Sequence, residues 1–132
     1  MILKEGDFFE QLFIITKEHY SHFINLSNDR NPLHINTTFA KEKGFKDVVM
    51  HGNILNAFLS YFIGECLPIE NVIIHSQEIQ FKNPVYMNDQ LFFKSEVVGY
   101  FESVNAIEFK FSFKNEENKT VAKGKIQIGI LP

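Results

Sequence analysis

Several residue types are scarce or missing in this chain, and each absence excludes a class of protein. Tryptophan is absent and Cys66 is the single cysteine. The chain therefore cannot form a disulfide within itself, and one free thiol is typical of a reducing compartment. Positive charge is not in excess, since the formal net charge is −3. Without a basic run, we expect no electrostatic surface for nucleic acid.

Long apolar runs are also missing. The most apolar segment, ILNAFLSYFIG at 54–64, is far shorter than the roughly 20 residues that span a bilayer. The first residues, MILKEGDFFEQ, include acids and a glycine, where a secretory signal has a basic stretch followed by an apolar one. We therefore expect a soluble, cytoplasmic protein that binds neither membranes nor nucleic acid.

The chain does contain enough apolar material for one core. Of its 132 residues, 45% are hydrophobic, and phenylalanine alone contributes 15. A chain of this length suits one compact domain, and no repeat, low-complexity tract or linker divides it. We expect a single domain over residues 1–132.

The first third of the chain favours one strand followed by helices. Residues 7–16 are rich in phenylalanine and isoleucine, as strands often are. Thr16 then suits a helix N-cap, and the helix that follows ends where Asn28 tolerates the left-handed conformation. Pro32 disfavours continuation of that helix, and a further short helix is expected over residues 36–43.

Between Gly52 and Leu67 the sequence has almost no polar face. Apolar side chains occupy most positions of this segment, and a helix that is apolar all round is a buried one. A helix over this range is about 24 Å long. Pro68 marks its end, because proline cannot continue a helix.

Everything after Pro68 has the composition of β-strands. EFKFSFK and KGKIQIGI alternate apolar and polar residues, so these strands each have one wet face. The connections are short and polar, which favours antiparallel pairing. Asn88 and Asn118 stand where such turns often need a positive φ. Four strands are predicted: 71–81, 90–101, 103–114 and 120–131.

These elements predict an α+β architecture. One long buried helix and a curved antiparallel sheet of about five strands pack together when the sheet wraps around the helix, an arrangement known as the hot-dog fold. The helix faces that the sheet does not cover still need burial. We therefore expect a homodimer or a higher homo-oligomer.

The stretch LSNDRNPLH, residues 26–34, concentrates polar side chains between apolar flanks. Taken singly, Asp29 is best interpreted as a residue after a helix end and His34 as a loop histidine. Their joint placement with Asn31, and with Gly52 at the start of the buried helix, favours a functional site. A carboxylate and an imidazole held together are suited to general acid–base chemistry.

Three blocks of the chain resemble the MaoC-like dehydratases, the family of the R-specific enoyl-CoA hydratases. They are FINLSNDRNPLH with the residues up to Ala40, HGNILNAFLS, and QFKNPVYMNDQL. The D-x-N-P-L-H order ahead of H-G is the specific part. The family often has glycine where this chain has Asn28 and Asn88, and asparagine keeps the tolerance for positive φ.

The resemblance implies a lyase that reversibly hydrates trans-2-enoyl thioesters to (R)-3-hydroxyacyl thioesters. It makes Asp29 and His34 the catalytic pair, acting through one water, and Gly52 the backbone donor to the thioester oxygen. Ser60 matches a family serine that borders the site, and Asn31 matches an asparagine of the motif. We expect no metal and no separate cofactor, since coenzyme A or acyl carrier protein is part of the substrate.

Other residues keep two interpretations. His51 lines the pocket or orients the loop before the helix, and Arg30 is a surface residue or meets an anionic group of the substrate. His19 and His22 have a spacing that suits a metal, but no third ligand is visible and solvent exposure is favoured. Four lysines suit contacts to substrate phosphates: Lys41, Lys43, Lys46 and Lys82.

Two other functions remain open on the same fold, because a fold alone does not fix a function. An acyl-thioester hydrolase, or thioesterase, would use a carboxylate and a water at the carbonyl, and would not need the D-x-N-P-L-H order. A non-catalytic acyl-thioester-binding subunit would not need an intact acid–base pair. The hydratase is therefore the leading hypothesis.

Overall fold

A five-stranded antiparallel sheet curves around one buried helix in the computed structural model, which describes residues 2–132. The sheet has the order β1-β3-β4-β5-β2, and every neighbouring pair is antiparallel. The predicted α+β architecture of the hot-dog fold is confirmed. The strands are β1 Phe8–Ile14, β2 Val72–Phe81, β3 Gln90–Phe101, β4 Ala106–Lys114 and β5 Thr120–Ile130.

The core lies between the concave face of the sheet and the central helix, α4 (Ile54–Tyr61). Alternate residues of β3 and β4 are buried, as the period of two requires. Phenylalanine provides much of the contact. The Phe13 ring stacks on Phe58 of α4 with centroids 4.5 Å apart, and Phe62 packs against Phe93 at 4.8 Å. Such pairs add about 0.5–1.5 kcal/mol beyond the area they bury.

Helix α1 (Lys17–Ser27) begins and ends where the sequence predicts. The Thr16 hydroxyl accepts a hydrogen bond from the His19 amide, and the His19 ring accepts one from the Thr16 amide, so the cap is reciprocal. At the other end Asn28 has a φ of 56° and closes the helix.

Two short helices follow α1. The sequence does not predict α2 (Pro32–Ile35), which a proline at its first position and the Asn31 side chain as cap allow to form. One turn of helix is too short to give a periodic pattern. The next helix, α3 (Thr37–Glu42), lies within the predicted range of 36–43 and is capped by Asn36.

The central helix is shorter than expected at both ends. Its first regular residue is Ile54 and not Gly52, because the Ile54 and Leu55 amides bond to carbonyls three residues back and form a tight turn. After Tyr61 the helix widens into a π-helical turn (Phe62–Cys66). It stops before Leu67, which is extended as the residue before a proline. No helix within residues 2–132 is long and apolar enough to cross a membrane.

The turns between strands contain asparagines in the left-handed conformation. Asn88 has a φ of 71° and Asn118 a φ of 60°, as predicted. The prediction that β4 begins at residue 103 is wrong. Glu102–Val104 form a short 3₁₀ helix, and Asn105, with a φ of 48°, reverses the chain before β4 begins.

Gly124 of β5 is required by a close approach to the neighbouring strand. A Cβ at this position would overlap the carbonyl oxygen of Glu78 on β2. The Gly124→Ala variant is therefore expected to lose about 1–3 kcal/mol in the free energy of unfolding, as overpacked sites do. Urea denaturation followed by circular dichroism measures this loss.

Lys123→Ala is the matched control, since Lys123 precedes Gly124 on the same strand and is exposed. Its free energy of unfolding should stay within about 0.5 kcal/mol of the wild type. Equal unfolding midpoints for the two variants would contradict the close approach of β5 to β2.

Candidate active site

The polar loop and the turn before α4 enclose a cleft of about 440 Å³. Its lining includes Asp29, His34, His51 and Gly52, together with Phe81 at the end of β2. A larger cavity of about 600 Å³ lies against the sheet and is lined by strand residues, half of them charged. The smaller cleft is the candidate site, because it brings together the groups suited to proton transfer.

Asp29 is held by the local geometry that follows the end of α1. Its amide donates to the Ser27 hydroxyl at 3.1 Å, and its Oδ1 accepts from the Asn31 amide at 3.2 Å. The second oxygen, Oδ2, points towards two histidines. The Asp29 side chain is 46% exposed, so water and substrate reach it directly.

His34 lies in α2 and is fixed through one ring nitrogen. Its Nδ1 is 2.7 Å from the Val49 carbonyl oxygen. Because a carbonyl only accepts, Nδ1 carries the proton and Nε2 of the neutral ring is an acceptor. Its backbone carbonyl accepts a bond of 2.6 Å from the Tyr20 hydroxyl. Burial raises the pKa of Tyr20, a rise partly offset by the Arg30 charge, so this hydroxyl stays a donor at neutral pH.

Two acceptors therefore face each other in the cleft. His34 Nε2 is 3.7 Å from Asp29 Oδ2, which is too far for a direct hydrogen bond. Neither atom carries a proton when the imidazole is neutral and the carboxylate ionised. A water or a hydroxyl group between them can donate to either one, so the geometry is suited to polarising such a group.

His51 supports this arrangement from below the surface. It is 2% exposed, and its Nε2 is 2.9 Å from the Asp29 main-chain carbonyl. Its ring stacks on the His34 ring with centroids 3.9 Å apart and planes 25° apart. The other nitrogen, Nδ1, is buried and has no partner among residues 2–132. His51 thus contacts both members of the polar pair.

Among residues 2–132, the same three side chains are the one group with the composition of a metal site. Asp29, His34 and His51 offer ligand atoms within 4.8 Å of one another. However, the imidazole rings of His34 and His51 are stacked, with centroids 3.9 Å apart. The His51 Nε2 also donates its proton to a carbonyl. This geometry suits proton transfer better than tetrahedral ligation.

Gly52 lies in the turn before α4, and its amide has no hydrogen-bond acceptor within residues 2–132. A free amide next to a helix N-terminus is suited to an oxyanion. The glycine also makes room for Phe81, because a Cβ here would lie 2.8 Å from the Phe81 Cε1. The resemblance marks Gly52 only as the backbone donor, and its contact with the Phe81 ring was not anticipated.

The remaining predicted residues lie at separate positions in the structure. Asn31 shapes the loop, since its Oδ1 accepts from the Leu33 amide at 3.0 Å. Ser60 is exposed on α4, and the structure gives it no hydrogen bond to Asp29 among residues 2–132. Arg30 is exposed as well. Of the four lysines considered for phosphate contacts, Lys82 lines the cleft.

Some functional neighbours could not be recognised in the sequence. The Val49 carbonyl orients His34, but a backbone acceptor leaves no signal in residue type. Tyr20 is 14 residues from His34 along the chain and contacts it only through the fold. Phe81 does lie in the block QFKNPVYMNDQL, so its proximity to the site had a sequence signal that was not used.

Comparison with known proteins agrees with the geometry. Over 108 residues the chain is 30% identical to an (R)-specific enoyl-CoA hydratase of Rhodospirillum rubrum, covering 82% of this chain and 75% of the relative. It is 28% identical to a mitochondrial 3-hydroxyacyl-[acyl-carrier-protein] dehydratase of Arabidopsis thaliana, covering 99% of this chain and 79% of the relative.

A solved structure shares the whole architecture. The (R)-hydratase of A. caviae, described as involved in PHA biosynthesis, superposes with a TM-score of 0.89 at 25% identity and covers 98% of both chains. The family model described as "MaoC like domain" matches residues 8–123. This match spans the polar loop, the cleft and most of the sheet, and the chain therefore belongs to the MaoC-like hydratase/dehydratase family.

Proposed function

We propose that this protein reversibly hydrates a trans-2-enoyl thioester to the (R)-3-hydroxyacyl thioester. The observation that supports the proposal is the separation of 3.7 Å between Asp29 Oδ2 and His34 Nε2 in an open cleft. The Val49 carbonyl keeps the proton of His34 on Nδ1. Both facing atoms are then free to take a proton from a water.

The reaction balances on this pair of residues. The water oxygen bonds to C3 of the substrate while the pair removes one water proton. The π electrons of the double bond move towards the thioester carbonyl, whose oxygen gains negative charge and is stabilised by the free amide of Gly52. The removed proton then goes to C2, so Asp29 and His34 return to their initial protonation state.

Loss of either member of the pair should remove the activity. Asp29→Asn and His34→Gln are each expected to lower kcat for crotonyl-CoA by about 10²–10⁴-fold, the usual range for a general acid or base. The measurement is the fall in absorbance of the conjugated enoyl thioester, with free thiol followed in parallel. His22→Gln is the control, since His22 is an exposed histidine on α1.

Each result separates the hydratase from its alternatives. Falling absorbance without thiol release, lost in both variants and kept in the control, supports the hydratase. Thiol release would instead identify an acyl-thioester hydrolase. If neither the absorbance nor the free thiol changes with crotonyl-CoA, with longer acyl chains or with acyl carrier protein thioesters, the result favours a non-catalytic binding subunit.

The contact between Gly52 and Phe81 predicts non-additive kinetics. In Gly52→Ala the new methyl group meets the Phe81 ring first and pushes it into the cleft, so kcat/KM should fall on the order of tenfold. In a Phe81→Ala background, Gly52→Ala should lower kcat/KM by less than about threefold, because the ring that the methyl group would displace is absent. A double-mutant cycle on kcat/KM measures the difference. Purely additive effects would show that the methyl group obstructs the substrate directly.

The carrier of the acyl group is the next part of the proposal. Coenzyme A and acyl carrier protein present the same phosphopantetheine arm, and the relatives include proteins named for each. Lys82 lines the cleft and is available to a phosphate. The Lys46 ammonium lies 4.5 Å from the centre of the Tyr86 ring, so its charge is already engaged in a cation–π contact. We propose coenzyme A as the carrier, with Lys82 as its phosphate contact.

We also propose a homodimer. The side of α4 and of the following π-helical turn that the sheet leaves uncovered exposes three small residues, Ala57, Ser60 and Gly64, next to Tyr61. Strand β2 has a free edge beside this face. Small side chains allow close approach of a second copy, and an unpaired strand edge is a template for pairing.

A charged residue on this face should break the dimer. Ala57→Arg is expected to halve the molar mass measured by sedimentation velocity, because a second copy would bury the new charge. Glu117→Arg, on the exposed turn between β4 and β5, is the control and should leave the mass unchanged. A wild-type monomer, or a dimer that persists in Ala57→Arg, would contradict this interface.

A further inference from the structure

We propose that His51 is a positioning residue that holds the Asp29–His34 pair at its working separation, a role that rests on the proposed hydratase function. His51 directly precedes Gly52 and is buried under the cleft. It does not touch the substrate in this proposal. It acts on the two reacting side chains, through a hydrogen bond to one and a stacking contact with the other.

The hydrogen bond fixes the backbone that carries the carboxylate. His51 Nε2 donates to the main-chain carbonyl of Asp29 at 2.9 Å, across 22 residues of sequence. The acceptor is a peptide oxygen, so the bond does not change when the Asp29 carboxylate gains or loses a proton. The carboxylate Oδ2 is 3.9 Å from the same nitrogen, which leaves Oδ2 free for a water or substrate.

The stacking contact fixes the plane of the imidazole. The His51 and His34 rings lie 3.9 Å apart at 25°, while the Val49 carbonyl holds one edge of the His34 ring. With one edge and one face restrained, the His34 ring holds its Nε2 in a single orientation. The direction of the His34 lone pair is thereby set before a substrate enters, as preorganised sites require.

The unpaired nitrogen of His51 indicates that the residue is more than packing. Because Nε2 must carry a proton to meet a carbonyl, Nδ1 of the neutral ring is an acceptor, and it is buried with no partner among residues 2–132. Leaving a buried polar atom unsatisfied is unfavourable. A phenylalanine would fill the same space against Phe23 without this defect, but it would have no donor for Asp29.

Two variants separate the donor from the ring. In His51→Gln the amide nitrogen follows Cβ by the same number of bonds as Nε2, so the bond to Asp29 can form without the stack. In His51→Phe the stack remains and the donor is lost. We expect kcat to fall by roughly 10–100-fold in His51→Phe with KM changed less than about threefold, and to recover to within about fivefold of wild type in His51→Gln.

Thermal unfolding of each variant accompanies the kinetics, and His22→Gln is again the control for loss of a histidine. A wild-type kcat in His51→Phe would overturn the proposal. So would a loss of kcat that is matched in both variants by a fall in the unfolding temperature, because His51 would then act on folding and not on the Asp29–His34 pair.

A second measurement does not depend on activity. Long-range ¹H–¹⁵N correlation spectra of the histidine rings report which nitrogen carries the proton. We expect His51 protonated at Nε2 and bare at Nδ1, and His34 protonated at Nδ1. If the wild type proves inactive on every enoyl thioester, the proposed function fails but the tautomers still test the contact. A His51 ring protonated at Nδ1 overturns the positioning role whatever the activity.

Discussion

The segment 49–52 connects the polar loop with the central helix, and the geometry of the candidate site depends on its hydrogen bonds. Val49 bonds to α2 twice, through its carbonyl oxygen to the His34 ring at 2.7 Å and through its amide to the Leu33 carbonyl at 3.0 Å. His51 bonds to the backbone of the same loop from the other side. The loop is thus held by three hydrogen bonds from two residues of this segment, Val49 and His51.

The same segment is anchored to the rest of the molecule. Met50 is 1% exposed, and its amide donates to the Val85 carbonyl at 2.8 Å, in the connection between β2 and β3. Burial removes water as a competing partner, which makes these bonds costly to break. An exposed carboxylate such as Asp29 can therefore keep a defined position, because its backbone is held by His51 and its Oδ1 accepts from the Asn31 amide.

Sequence patterns predicted the parts of this fold that depend on local chemistry. The ends of α1 follow from Thr16 and Asn28, whose side chain and backbone preferences act within four residues. The strands follow from a period of two. The parts that were missed are single turns, too short to give a periodic pattern: the tight turn at Gly52, the π-helical turn after Tyr61, and the short helix α2.

The candidate site shows the same division. The resemblance brought Asp29 and His34 to attention, and their side chains do meet in the fold. Which nitrogen of His34 faces the aspartate could not be inferred, because a main-chain carbonyl decides it. Residue types predict which groups are present, whereas backbone acceptors determine their protonation and direction.

Ser60 relates the cleft to the proposed dimer. The resemblance places this serine at the border of the site, yet in a single chain it is exposed on α4. Asn53 lies seven residues earlier, on the same exposed side of the central helix, and it lines the cleft. The uncovered helix face and the cleft therefore share an edge. A second copy bound to that face would exclude water from this side of the cleft, where electrostatic interactions strengthen as water is removed. On this reasoning the dimer and the chemistry are parts of one proposal, because the surface that needs a partner borders the groups that need a dry environment.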